Sequence, residues 1–448
     1  MFTADSNRQT VAEFVTIEQL VPPDHLLRRI DTAVDFSFIN EICRPYYSAD
    51  NGRPAIEPEI VFRALLIGYL FGIRSERRLV SEIAVNVAYR WFLRLSLTDP
   101  VFDASVIWQN RRRRFAGTDV AQRIFDGIVI QAIDAGLVSG EVLFTDSTHL
   151  KANANGRRHT EDHVSASVAD YLADLDADID ADRAAHGKKP FDRDETKPSP
   201  ERRIKRSVTD PDAGFMHRDG KPKGFFFLDH TTVDTRVGII TDVFVTPGNV
   251  TDAEPYLDRL TTQIDKFGFE VAAVGIDAGY NTFPVCKGLD ALGIEAAVGR
   301  RRAGHPKGVW GKHRFDYDRD ADVYRCPQGA VLAYATTDRN GYRSYRAARS
   351  RCQGCPKIAL CLTPAQRERT IRRHVWEDAK DRCLDFTRSD IGSRIYARRR
   401  ETVERSFADA KELHGLRYCR MRGIERVSEQ CLLTAAAQNI KKLAFALT

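Results

Sequence analysis

The chain has 448 residues, of which 43% are hydrophobic and 29% charged, and its formal net charge is +6 at pH 7. That length suggests roughly three domains with room for a sizeable core, and the composition excludes a disordered or membrane-embedded chain. No apolar run is long enough to span a bilayer, and the start Met1-Phe2-Thr3-Ala4-Asp5-Ser6 has no signal-peptide pattern, so the expectation is a cytoplasmic protein with no membrane partner.

Charge is clustered. Basic runs occupy Arg111 to Arg114, Arg300 to Arg302 and Arg398 to Arg400, and an acidic run lies between Asp170 and Asp182. Such clusters suit a polyanion partner such as DNA, or else they are solvated helix faces. Nine cysteines, an odd number with no secretory signal, argue against a disulfide framework.

Residues 1–136 read as helical. Pro58 opens a helix carrying Ile60, Val61, Leu65, Leu66, Tyr69 and Leu70 at helical spacing. Gly72-Ile73-Arg74-Ser75 breaks it, and Ser75 is placed to cap a second helix bearing Leu79, Ile83, Tyr89, Trp91, Phe92 and Leu95. Two helices around a short turn suit a helix-turn-helix, with Arg74, Arg77 and Arg78 at the start of the second. A third helix, near Ser105 to Phe115, carries Arg111, Arg112, Arg113 and Arg114; four consecutive arginines cannot all be buried, so some face solvent or phosphate.

An apolar strand, Val142-Leu143-Phe144, then runs into Thr145-Asp146-Ser147-Thr148. A carboxylate in a buried strand needs a cation, a metal or strand-end hydrogen bonds, which makes Asp146 the first candidate ligand. Residues 155–222 read as an insertion: an amphipathic helix with Val164, Val168, Tyr171, Leu172, Leu175 and Ile179 on one stripe, then an exposed linker over 187–206. Strands are expected at Gly224–Val233 and Val237–Thr246, and Thr251-Asp252-Ala253-Glu254 has the form of a capping box opening a helix that runs to about Phe267. Val271 to Ile276 is a buried strand with Asp277 at its C-terminal end, where ligand-binding carboxylates of α/β sheets collect. A helix to Leu292 and a short strand, Ile294 to Val298, follow.

Residues 300–375 differ in kind. Cys326, Cys352, Cys355 and Cys361 are spaced C-x25-C-x2-C-x5-C, which suits one structural Zn²⁺, the alternative being unrelated thiols. Residues 376–448 are helical again. In Arg398 to Lys411 the α-helical period puts Arg400, Glu404 and Lys411 on one face, as an ion-pair ladder or a metal and phosphate site. A last apolar helix carries Val427, Leu432, Leu433, Ile440 and Leu443 and is expected to cover a sheet.

The succession of a strand with Asp146, two strands, a helix, a strand ending at Asp277, a helix, a strand, a long insertion and a helix with Glu404 resembles the ribonuclease H-like core. More closely, the chain resembles the DDE transposases of bacterial insertion sequences. The resemblance rests on Phe144 to Thr148, on Gly275 to Tyr280 and on Val403-Glu404-Arg405-Ser406-Phe407 with Lys411. One large group of these enzymes has a Tyr-x2-Arg-x3-Glu-x6-Lys signature. Arg400, Glu404 and Lys411 match its spacing, whereas position 397 is Ala and Tyr396 stands one residue early. Gly52-Arg53-Pro54, Ile73-Arg74-Ser75, the Ser207-x-Thr209-Asp210-Pro211-Asp212 segment and the four cysteines also look like that group.

The resemblance implies a mixed α/β, ribonuclease H-like catalytic core over 137–299 and 376–448, an N-terminal helical DNA-binding region and a zinc-binding insertion. It implies Asp146, Asp277 and Glu404 as ligands of two Mg²⁺ ions (Mn²⁺ being able to substitute), Asp146 shared by both. Lys411 and Arg400 would act at the scissile phosphate. Arg74, Arg77, Arg78 and Arg111 to Arg114 would contact DNA. The partners implied are transposon ends and target DNA, bound by a homodimer or larger assembly in a bacterial nucleoid. A DNA-binding derivative without catalysis and a nuclease without strand transfer are the alternatives.

Overall fold

Residues 12–48, 50, 55–165, 171–193, 201–217, 223–300 and 308–448 are described by the structure, a computed structural model. Gly52-Arg53-Pro54, Val168, Asp170, residues 194–200 of the expected linker, and Arg301 and Arg302 lie outside them.

The larger sheet is built on β1 (Val142–Lys151), whose buried first half comes from the apolar run Leu143-Phe144. The other long strands are β5 (Gly224–Asp234), β6 (Ile240–Pro247), β7 (Ala273–Ile276) and β8 (Glu295–Val298). Across the sheet they run β6, β5, β1, β7, β8, antiparallel on the β5 side of β1 and parallel on the β7 side. The register sets Thr145 of β1 beside Ile276 of β7, so Asp146, midway along β1, and Asp277, just past the end of β7, come next to each other. Gly275 leaves no room for a side chain, because a Cβ there would sit 2.4 Å from the ring of buried Phe144.

Residues 155–222 are not only an insertion. β2 (His159–Ser165) and β3 (Glu201–Ser207) pair antiparallel and, through β4 (Gly214–Met216), continue the sheet from the first residues of β5. β2 and β3 are polar on both faces and are joined by Glu161–Arg203 and Asp162–Arg206 ion pairs, so the apolar alternation that betrays a strand is missing. Val164 belongs to β2, and the described part of the helix is Tyr171–Ala185.

The N-terminal helices follow the expected plan with one change. Pro58–Leu70 and Glu76–Val85 flank the turn, and Ser75 caps the second by accepting from the Arg78 N–H. The expected long second helix is broken at Asn86, whose side chain caps a new helix, Val87–Phe92. The last helix, Ile424–Leu447, packs on β6 and on the N-terminal helices Leu26–Ala33 and Val120–Asp134. Its buried Asn439 donates to the Ile240 carbonyl at 2.7 Å and accepts from the Ile240 N–H at 2.8 Å, which satisfies backbone groups at the outer edge of the sheet. The start of this helix is held by the Ser207–Asp212 segment: Asp210 accepts from Gly423 N–H and Asp212 from Ile424 N–H.

The Cys-rich region folds as a second, antiparallel sheet of β9 (Asp316–Asp318), β10 (Val323–Arg325), β11 (Val331–Thr337), β12 (Tyr342–Ala347) and β13 (Thr370–His374). It buries its own small core of Phe315, Tyr324, Leu332, Tyr345 and Ile371. No helix is long and apolar enough to cross a membrane among the described residues.

Candidate active site

Asp146 is mostly buried, its side chain retaining 19% exposure. Burial pushes its carboxyl up to about 6; Arg399 and the Ser147 N–H oppose that shift, and the charge of Asp277 adds to it. Asp277 Oδ1 accepts from the Gly279 N–H at 2.5 Å. A side chain at Gly279 would collide with the same oxygen at 2.7 Å and lie 3.4 Å from Asp252 Oδ2, so glycine is what lets these two carboxylates approach each other.

Asp252 is a fourth acid, which sequence reasoning missed. It accepts from Ser147 Oγ at 2.8 Å, the hydroxyl next to Asp146. The capping-box reading concealed it: residues 252–255 form turns, and the helix starts at Tyr256, after Pro255, before ending at Phe267 as expected. In the turn, the Asp252 carboxylate lies beside Ser147 and Gly279, next to Asp146 and Asp277, rather than serving a helix end.

Glu404 arrives on a long helical stretch of three parts: Asp390–Arg399, a π-turn at Arg400–Glu404, and Arg405–Glu412. Buried Val403 and Phe407 anchor it to the core. In a π-turn the residue one turn back is i−5, not i−4. Arg399, not Arg400, therefore lies under Glu404. Its guanidinium donates to Asp146 Oδ2 at 2.7 Å and to Glu404 Oε1 at 2.8 Å, a two-pronged bridge between the acids. Arg400 is exposed. Lys411, one α-helical stretch further on, donates from Nζ to Thr148 Oγ1 at 2.5 Å, two residues along β1 from Asp146.

Two family models match the chain: a transposase domain (DUF772) over residues 15–113 and a transposase DDE domain over residues 325–444. The chain therefore carries a transposase domain near its N-terminus and a segment that matches a transposase DDE domain in its C-terminal part. The matched DDE segment holds Arg399, Glu404, Lys411 and the four cysteines, while Asp146 and Asp277 lie upstream of it. No curated protein matches the chain. A cryo-EM structure of a piggyBac transposase synaptic complex with hairpin DNA superposes with a TM-score of 0.34 at 10% identity, covering 94% of this chain and 75% of that one, a likeness too loose to define a shared fold.

The carboxylates gathered here are hard oxygen donors of the kind Mg²⁺ takes. As they stand, however, the positive charge between Asp146 and Glu404 is a guanidinium. Among the described residues no three His, Cys, Asp or Glu side chains form a group that could hold a metal ion without moving. The four cysteines line one cavity together, and the Cys361 thiol is pushed up by burial, with the other three thiols adding to the shift and the Arg369 charge opposing it. Cys326 Sγ accepts from the Ala330 N–H at 3.2 Å. The donor chemistry fits a thiolate-liganded ion, although the four sulfurs are not closed around one point.

The predicted DNA-contact arginines divide. Arg111 is committed to Glu429 at 2.7 Å and Glu76 at 3.0 Å, tying the N-terminal helices to the last helix. Arg78 pairs with Glu82, and Arg114 bonds Asn110 and stacks on Tyr47. Arg74, Arg77, Arg112 and Arg113 are exposed.

Asp229, also unpredicted, is buried on β5 opposite Thr148, and burial pushes its carboxyl up to about 7 against the opposing Thr231 hydroxyl and Lys411 charge. The folded protein thus keeps a proton there that the unfolded chain releases above pH ~4, so stability falls as pH rises from ~4 to ~7. Asp229→Asn should remove that fall. Thermal melts should show a Tm above wild type at pH 8, with the gap closing toward pH 4; a gap independent of pH would contradict a neutral, buried Asp229.

Proposed function

We propose that the protein is an insertion-sequence transposase that binds terminal inverted repeats and catalyses metal-dependent DNA cleavage and strand transfer. One observation carries this reading: Asp146 and Glu404, from opposite ends of the catalytic region, share one guanidinium, with Asp277 beside them at the end of the neighbouring strand. The strand order, with β1 between antiparallel β5 and parallel β7, supports a ribonuclease H-like core. The π-turn also supports the family signature. Tyr396 and Arg399 keep its Tyr-x2-Arg spacing, Glu404 and Lys411 keep its Glu-x6-Lys spacing, and the π-turn takes up the one extra residue between them.

Asp146, Asp277 and Glu404 would hold two Mg²⁺ or Mn²⁺ ions. When bound, such ions supply an activated oxygen nucleophile and stabilise the leaving oxygen of a phosphodiester. Arg399 compensates the acids while the ions are absent and gives up at least one carboxylate when they bind. Lys411, extending from a helix onto β1, is positioned to grip the phosphate beside the cut. Asp252 orients Ser147 and adds negative charge at the edge of the site. The cysteine cluster would hold one structural Zn²⁺ and stiffen the second sheet, and pairing of two ends implies a dimer or larger assembly on DNA.

Asp146→Asn, Asp277→Asn and Glu404→Gln should each abolish cleavage of a duplex bearing the gene's flanking repeats in Mg²⁺, while retention of that duplex in a gel shift persists. Normal cleavage by any one of them would remove that residue from the site; cut products without joined ones in the wild type would favour a nuclease. Metal analysis should find about one Zn per chain, lost in Cys352→Ser, and a zinc-free folded protein would reject the structural-zinc reading.

A further inference from the structure

A second cationic feature lies away from the acids. Between the turn that follows helix Pro58–Leu70 and the segment that precedes the last helix is a cavity of about 400 Å³ lined by six arginines and only two glutamates. The two glutamates, Glu76 and Glu429, are already taken by Arg111. What remains is an excess of positive charge in a walled space.

Two of the lining arginines, Arg74 and Arg420, meet at Gly415. A Cβ there would lie 2.8 Å from Arg420 Nη2 and 3.3 Å from Arg74 Nε, so both guanidiniums approach one spot that only a glycine leaves open. Gly415 also has a φ of +73°, which favours glycine for a second reason. Among the described residues neither arginine is paired with an acid. Arg74 donates to the Tyr418 hydroxyl at 2.6 Å and stacks on that ring; Arg420 stacks on Tyr69, makes only a 3.4 Å contact to the His414 carbonyl, and keeps a buried Nε with no partner. Two like charges held together without a counter-charge are costly unless an anion completes them. The fork geometry of guanidinium matches phosphate oxygens.

The cavity is coupled to the strand of the catalytic acid. Tyr418 bridges to Lys151, and the Cys419 N–H donates to the Lys151 carbonyl at 2.9 Å, so the segment that leads into the lining residue Arg420 is tied to the end of β1. From Asp146 to Lys151 is five residues of strand, or ~17 Å at ~3.3 Å per residue. A duplex lying along β1 would cover that length with about five base pairs at ~3.4 Å each.

We propose that Arg74 and Arg420, with Arg77, Arg112 and Arg426 at the rim, form a phosphate pocket that clamps the DNA backbone about five base pairs from the phosphodiester acted on. This rests on the transposase reading above and adds a contact that joins the N-terminal helices to the catalytic core through one backbone phosphate.

The test measures affinity of the full chain for a duplex carrying the flanking repeat over a range of salt, for wild type, Arg74→Gln and Arg420→Gln. Each variant should bind several-fold more weakly, with the slope of log K against log salt reduced by about one, and equally so on unrelated sequence. Methylphosphonate substitution at the phosphates about five base pairs from the cut should weaken wild type and leave the variants little changed. Arg74 is exposed, so its variant keeps the test valid if Arg420→Gln is unstable. Retention of DNA by wild type with unchanged slopes in the folded variants overturns the pocket alone; failure of wild type to retain any duplex overturns the pocket together with the reading on which it rests.

Discussion

The site is organised by one guanidinium. Arg399 donates one nitrogen to Asp146 and another to Glu404, and so fixes a helix near the C-terminus against a strand more than half the chain away. The pair with Asp146 is largely out of water, with 11% and 19% exposure of the two side chains, so removing either partner leaves a buried charge uncompensated. Everything nearby is consistent with a cation at that point. The Asp146 carboxyl is held high by burial and by Asp277, and Arg399 offsets part of the cost.

Around this bridge, tight packing does the positioning. Gly275 lets β7 approach the Phe144 ring, and Gly279 lets Asp277 and Asp252 stand close together; both glycines sit where a methyl group would collide. Val403 and Phe407 hold the helix down, and Asn439 secures the far edge of the sheet. The N-terminal helices are not a loose appendage. Arg111 ties them to Glu429 of the last helix, and Arg74 meets Tyr418 beside the end of β1. A DNA contact made by those helices would therefore be mechanically connected to the strand that bears Asp146.

How much of this was legible in the sequence varies with the physics involved. Asp146 and Asp277 stood out because each ends an apolar run, where an unpaired carboxylate has no cheap explanation, and the register of β1 and β7 brings them together. Glu404 and Lys411 were found by helical spacing, but Arg399 could not be, since a 3.6-residue period selects Arg400 and only a π-turn shifts the partner by one. The early Tyr396 was the signal in the sequence that an extra residue had to be absorbed. Asp252 was lost to a local motif with a plausible alternative meaning. The β2–β3 pair was lost because its residues are polar on both faces and carry cross-strand ion pairs in place of an apolar alternation. The second sheet is dense in Tyr and Arg, which give no clean period, and only its cysteines were informative.

The central claim is that three acids, brought together from distant parts of the chain, bind divalent cation at one place. Iron-mediated hydroxyl-radical cleavage tests it without DNA or turnover: Fe²⁺ is allowed to replace Mg²⁺, ascorbate and peroxide are added, and the cuts in the polypeptide are mapped. The account predicts cuts in three segments, around Asp146, Asp277 and Glu404, all suppressed by excess Mg²⁺. Cuts confined to one of these segments, or scattered and insensitive to Mg²⁺, would contradict it.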